Sequence, residues 1–213
     1  MPTITKISEQ QRQPRRRNIY LDGRFAFGCN VNVVAKFRLR EGMSLTDEQV
    51  NEIQSGEVRQ ECFDAAIKLL EARLHGTIEL RRKLARKRWS SEIIEAAIAA
   101  LSRLGYLDDE RFARTKALSS AQHKQHGPRR AMMELLRAGV ARAVADRAVE
   151  DVFGSADNTS VARVLAQKQA VRLKKLDPIV ARRRLAGMLQ RRGFDYDTIK
   201  PIIDEVLASR DED

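Results

Sequence analysis

Arginine and lysine at helical spacing are the residues whose types and pattern carry chemistry in this sequence. Arg81, Arg82, Lys83, Arg86, Lys87 and Arg88 crowd one short stretch, opposed only by Glu79, while Leu80 and Leu84 lie one turn apart as its apolar face. Arg129 and Arg130 head a second stretch. Arg172, Lys174 and Lys175, then Arg182, Arg183, Arg191 and Arg192, fill a third, and Arg15, Arg16 and Arg17 form a run near the start. A guanidinium offers a planar fork of donors that meets phosphate or carboxylate through paired hydrogen bonds. The chain has 213 residues and a net charge of +11, so its field draws polyanions, either nucleic acid or a nucleoprotein. The plainer reading of the same residues is a solvated face that keeps each helix soluble.

Other reactive types are present without a reactive arrangement. Asp108, Asp109 and Glu110 are consecutive, but they stand where a helix begins, and each suits a helix N-terminus better than a metal. His123 and His126 have no cysteine or acidic residue beside them in sequence, so no metal and no cofactor is expected. Cys29 and Cys62 are far apart and in no C-x-x-C pattern, which predicts reduced thiols in a cytoplasmic protein. The sequence contains no G-x-x-x-x-G-K-[ST], no G-x-S-x-G and no H-E-x-x-H, so it is read as a binding protein and not an enzyme. It contains no apolar run of about 18 residues and no apolar leader at its start, so no membrane association is expected.

The elements that must position these cations are helices in a repeat. Stretch 77–114 reads as helix, tight joint, helix, tight joint, helix start. Ser90 is the expected cap of its second helix, with Trp89 and Ile94 as a hydrophobic staple. Gly105 suits the left-handed residue that ends that helix, and Asp108 suits the next cap, with Leu107 and Phe112 around it. The pattern returns twice. Leu80, Leu84, Trp89, Ile94, Ile98 and Leu101 align with Ala131, Leu135, Val140, Ala145, Val149 and Val152, 51 residues on. They align again with Leu185, Leu189, Phe194, Ile199, Ile203 and Val206, a further 54 on. A period near 50 belongs to stacked helical units that contact mainly their neighbours. Aromatics make up only 5% of residues, which fits thin helical layers better than one deep core. The smaller Val140 and Ala145 make the middle unit the most weakly packed.

Further readings follow in chain order. Residues 1–17 read as a flexible basic arm, with an edge strand over Thr3 to Ile7. Residues 18–29 read as a hairpin turning on Asp22-Gly23. Phe25 and Phe27 either stack on bases or, for at least one of them, face a small core. A short helix follows with Val33, Val34 and Phe37 inward. Thr46 and Gln49 open another helix as a capping box, and that helix is expected to end near Ser55-Gly56. A new helix then runs over 60–73. Residues 119–127 read as a long polar joint before Pro128, and 154–158 as a linker. The helix after it is expected to turn Val161, Val164, Leu165, Ala170 and Leu173 inward. Asp177-Pro178 is a cap and a first-turn proline, and Asp195 caps the last helix. Pro201 implies either a kink or a late start of that helix. The end, 210–213, reads as a frayed acidic tail.

ELRRKLARK followed by IIEAAIAALSRLGYLDDERFAR resembles the RecX family, regulators of the RecA recombinase, with GYLDDERFA as the most specific segment. The resemblance extends over 60–209, and 18–47 resembles an N-terminal extension found in some members. The expected fold is mainly α: tandem three-helix repeats in an elongated curved array, with a small N-terminal α+β module of β-hairpin plus helices. The expected boundaries are 1–57 for that module and 58–108, 109–156 and 157–213 for the repeats. The resemblance implies a monomeric, non-catalytic modulator of RecA, mainly an inhibitor. It would lie in the groove of the RecA–single-stranded-DNA filament and limit filament growth, ATPase and strand exchange. It would bind DNA itself only weakly and non-specifically, in homologous recombination, DNA repair and the SOS response. A general DNA-binding protein acting through backbone contacts is the rival reading.

Overall fold

The computed structural model describes residues 1–154 and 158–208, and its contacts divide into two units, Met1–Arg73 with Leu80–Tyr106 and Leu74–Glu79 with Leu107–Asp213. The first begins with a three-stranded antiparallel sheet in the order β1 (Ile4–Gln10), β2 (Gln13–Leu21), β3 (Arg24–Asn30). The expected hairpin joins β2 to β3 through Asp22 and Gly23, with φ 49° and 81°, the positive pair of a type I′ turn. The flexible arm is corrected: Arg15, Arg16 and Arg17 lie inside β2, the middle strand. Arg17 is held by Glu9 of β1 at 2.7 Å, and Arg16 by Glu57 at 2.8 Å, so two of the strand's three cations are paired.

Helix α1 (Val31–Lys36) and the long α2 (Asp47–Ala72) close the sheet's inner face over Ile4, Ile19, Cys29, Val33, Leu39, Leu45 and Ile53. Phe27, Val34 and Phe37 pack against this core. Thr46 and Gln49 form the expected capping box. The expected break at Ser55-Gly56 does not occur, and α2 runs unbroken across it. Gly56 serves packing: a Cβ there would come within 2.9 Å of the Phe37 ring. Helix α3 (Thr77–Ala85) starts among the second unit's residues. It is followed by α4 (Ser91–Arg103), whose cap Ser90 accepts a hydrogen bond from the Ile93 amide. Ile94, Ala97, Ile98 and Leu101 are buried on α4, and Gly105 takes its left-handed position at φ 75°.

The second unit holds α5 (Asp109–Gln122), α6 (Pro128–Ala138), α7 (Arg142–Phe153), α8 (Asn158–Arg172), α9 (Pro178–Arg192) and α10 (Tyr196–Ala208). Two cores form. Phe112, Ala117, Leu135, Ala145 and Phe153 anchor one, and Leu165, Leu185, Leu189, Phe194 and Ile203 the other. The expected caps Asp108, Asp177 and Asp195 all accept amide hydrogen bonds at their helix starts. The joint before Pro128 is shorter than expected, because α5 continues to Gln122 and buries Ser120 completely. Val164 faces outward, and the fully buried Ala162 and Ala166 take the inward positions of α8. α10 begins at Tyr196 and carries Pro201 in its interior, so the late start does not occur. Residues 155–157 of the expected linker, and the tail 210–213, lie outside the described residues. Among the described residues no helix is long and apolar enough to cross a membrane.

The second and third repeats meet backbone to backbone. The amide of Gly127 donates to the Arg192 carbonyl at 2.8 Å, and that of Arg129 to the Gly193 carbonyl at 3.2 Å. A Cβ on Gly127 would lie 2.5 Å from the Gly193 oxygen, and one on Gly193 would lie 2.3 Å from the Arg130 nitrogen. Gly139 sits equally close to Ile78, its Cβ position 2.5 Å from that side chain. Gly139 and Gly193 occupy matching places in the repeat with φ 88° and 90°; the matching residue after α3 is Arg88, at φ 67°. Gly193→Ala therefore combines a left-handed backbone, costing about 1–2 kcal/mol, with a collision that adds about 1–3 kcal/mol. Gly105→Ala, with nothing within 4 Å of its Cβ position, bears only the first cost. Urea denaturation of the two variants side by side is expected to show the larger loss for Gly193→Ala.

Candidate functional site

The basic residues differ in how far they are exposed and in the partners they hold. Leu80 and Leu84 are fully buried and fix the roll of α3, which leaves its other faces to the cations. Arg81 is clamped by Glu95 of α4 through a bidentate pair at 2.5 and 2.8 Å. That hydrogen bonding holds the Glu95 carboxyl below its usual range. Arg82, Arg86, Lys87 and Arg88 are exposed and Lys83 is half-buried, with the Lys87 ammonium 5.9 Å from the centre of the Trp89 ring.

In the second unit Arg129 is exposed on the first turn of α6. Arg172, Lys174 and Lys175 are exposed around the end of α8, and Arg183, Arg184 and Arg191 along α9. Arg182 is paired with Asp204 of α10 at 2.5 Å. Arg192 is diverted to the joint, where its Nη1 donates to the carbonyls of Lys124 and Gln125. Arg130 is half-buried near Glu134, with 3.9 Å between charged atoms. In the sheet Arg15 is exposed, while Arg16 and Arg17 are spent on the ion pairs already described.

The three consecutive carboxylates have separate duties. Asp108 caps α5, Asp109 accepts the Thr77 amide at the start of α3 at 2.7 Å, and Glu110 pairs with Arg147 at 2.7 Å. Glu110, Arg147, Arg111 and Arg114 line a groove of about 470 Å³ between α5 and α7. The sequence reading missed these cations, although the spacing of Arg111 and Arg114, three apart, is a helical signal. Both cysteines are buried free thiols, and burial pushes that of Cys29 up to about 12.

Fold and faces together define a tandem three-helix-repeat protein with a small sheet at its N-terminus and arginine-rich middle helices. Four family models match in order: the regulatory protein RecX N-terminal domain at residues 2–46 and the first, second and third RecX three-helix domains at 62–101, 108–149 and 157–203. The regulatory protein RecX of Bacillus subtilis (strain 168) is 32% identical over 213 residues, covering 100% of this chain and 80% of that protein. The chain belongs to the RecX family of regulatory proteins. A crystal structure of regulatory protein RecX superimposes with a TM-score of 0.82 at 22% identity, over 96% of this chain and 100% of that one. RecX from Lactobacillus salivarius gives 0.61 at 22% identity, over 70% of this chain and 96% of that one. These likenesses speak for the fold.

One titrating cluster lies at the joint between α6 and α9. His126 Nδ1 is 3.2 Å from Glu134, which also takes a hydrogen bond from Lys124. Burial lowers the His126 pKa below its ordinary 6.5; Glu134 pulls it upward, and Arg130, Lys124 and Arg192 oppose that pull. Burial alone would raise the Glu134 carboxyl, but Lys124 and the neighbouring cations hold it below its usual range. With the folded pKa below the unfolded one, neutral His126 stabilises the fold above 6.5. That contribution is lost as pH falls through 6.5 toward the folded value. Urea midpoints are expected to drop between about pH 7.5 and about pH 5.5, and His126→Gln is expected to flatten part of that dependence.

Proposed function

We propose that this chain is a non-catalytic modulator of the RecA recombinase, mainly an inhibitor. It binds in the groove of the RecA–single-stranded-DNA filament and limits filament growth, ATPase and strand exchange. It does so as a cytoplasmic monomer in homologous recombination, DNA repair and the SOS response. The observation that carries the reading is that a chain matching RecX from end to end leaves basic side chains of its middle helices turned to solvent. Charge returning at a near-constant sequence period suits a helical polyanion or a helical nucleoprotein. The contacts are assigned to Arg82, Lys83, Arg86, Lys87 and Arg88, to Arg129, and to Arg172, Lys174, Lys175, Arg183 and Arg191, with Arg15 from the sheet. The working divisions are 1–57, 58–108, 109–156 and 157–213. Arg81, Arg182 and Arg192 are assigned to positioning, since each has a partner within the fold.

The test is binding to single-stranded DNA, bare and coated with RecA and a non-hydrolysable nucleotide, at near-physiological salt. Clearly tighter binding to the coated strand supports the reading. Equal or tighter binding to bare DNA overturns it and favours a general DNA-binding protein acting through phosphate contacts. Arg86→Glu with Lys87→Glu is expected to weaken coated-filament binding about tenfold or more with an unchanged melting temperature. Arg192→Glu is expected to lower the melting temperature, because its donors satisfy the Lys124 and Gln125 carbonyls.

A further inference from the structure

The outward face of the N-terminal sheet presents Tyr20 beside an aromatic ring, Phe25, that ordinary strand geometry would have hidden. Phe25 and Phe27 stand two apart and would share a face in a regular strand. Instead Ile19 pairs with Phe27 and Tyr20 with Phe25, which leaves Ala26 as a bulge. Phe27 thereby joins the core, and Phe25 is turned to the far side, 59% exposed. The other edge repeats the device. Ile4 pairs with Leu21 and Lys6 with Tyr20, which leaves Thr5 as the extra residue. Ile4 is completely buried while Lys6 is exposed. Two bulges thus flank one cross-strand row, Lys6–Tyr20–Phe25, and aim it outward; re-aiming a side chain is a recurrent use of bulges.

We propose that this row is a base-stacking platform for single-stranded DNA, with Tyr20 and Phe25 as the stacking rings and Lys6 and Arg24 as phosphate contacts. The two rings meet edge to face, 6.0 Å between centres and 79° between planes, so at least one π-face is turned away from its partner. The Lys6 ammonium stands 5.8 Å from the centre of the Tyr20 ring, within reach of a strand laid across it. The first 30 residues carry six basic and two acidic side chains. Both acids are engaged, Asp22 by the Thr3 amide at 2.9 Å and Glu9 by Arg17 at 2.7 Å. Paired bases in a duplex hide the faces that such rings need; an unpaired strand offers them, and stacking tolerates any base sequence. The proposal concerns bare DNA and stands apart from the RecA reading.

The test uses the full chain, fluorescein-labelled oligo-dT and no RecA, followed by anisotropy across a salt series. Phe25→Ala is expected to weaken binding about tenfold with the salt slope unchanged, since no charge is removed. Phe25→Trp restores binding, and Lys6→Gln with Arg24→Gln reduces the salt slope by about two units or less. Photocrosslinking to 5-iododeoxyuridine places the crosslink on Tyr20 or Phe25. Phe25 is largely exposed, so melting temperatures should match the wild type and a folding defect is separable from lost stacking. Wild-type affinity in Phe25→Ala, crosslinks confined to other segments, no binding of oligo-dT, or tighter binding of duplex or of oligo-rU each overturns the proposal. A Phe25→Ala chain that loses bare oligo-dT yet still prefers the RecA-coated strand upholds the platform and keeps the two readings distinct.

Discussion

The contact between the start of α6 and the end of α9 is made of main chain, and the packing of the last two repeats follows from it. A helix N-terminus carries amides without intrahelical acceptors, and a C-terminus carries carbonyls without donors. Here they meet: Gly127 and Arg129 donate to Arg192 and Gly193. The positive end of one helix dipole faces the negative end of the next, so the electrostatics agree with the hydrogen bonds. Such an approach leaves no room for Cβ, which is why both sides are glycine. The surrounding charges serve the same contact, with Arg192 reaching back over the carbonyls of 124 and 125 and the His126–Glu134 pair beside it.

Much of this fold was legible because the apolar residues of the three repeats keep one spacing while the polar residues between them vary. Leu80, Leu135 and Leu189, assigned from spacing alone, are fully buried. Asp22-Gly23 and the caps at Thr46, Asp108 and Asp177 were legible because each has a local mechanism. The failures share a cause in distant partners. Arg15 to Arg17 read as an arm because their neutralising carboxylates include Glu57, about forty residues away in sequence and close in space. Gly56 read as a stop because a glycine's local freedom is visible in sequence, whereas the Phe37 ring that requires it is not. Ala162 and Ala166 were overlooked because alanine gives a weak hydrophobic signal, although tight helix contacts favour it over Val164.

The candidate site was legible by residue type and not by duty. Sequence marks a guanidinium, but its partner comes from the fold. Arg81 and Arg182 are drawn to carboxylates on the following helix, and Arg192 to carbonyls of the preceding repeat. Exposed ion pairs contribute little stability, so the pairs at Arg81 and Arg182 matter chiefly for fixing which carboxylate each side chain meets. Exposed cations remain at the end of α3 and beyond it, at Arg82, Arg86, Lys87 and Arg88, and along α9 at Arg183, Arg184 and Arg191.

Arg88 marks where the first repeat departs from the other two. Where the second and third repeats end their middle helices in Gly139 and Gly193, the first ends in a left-handed arginine. A Cβ and a long charged side chain at that place rule out the close main-chain approach that Gly193 allows at Gly127 and Arg130. The third repeat departs at the opposite end of its middle helix, since α9 starts about one turn earlier than its counterpart α6. Repeats built on one apolar spacing thus differ where their middle helices start and stop.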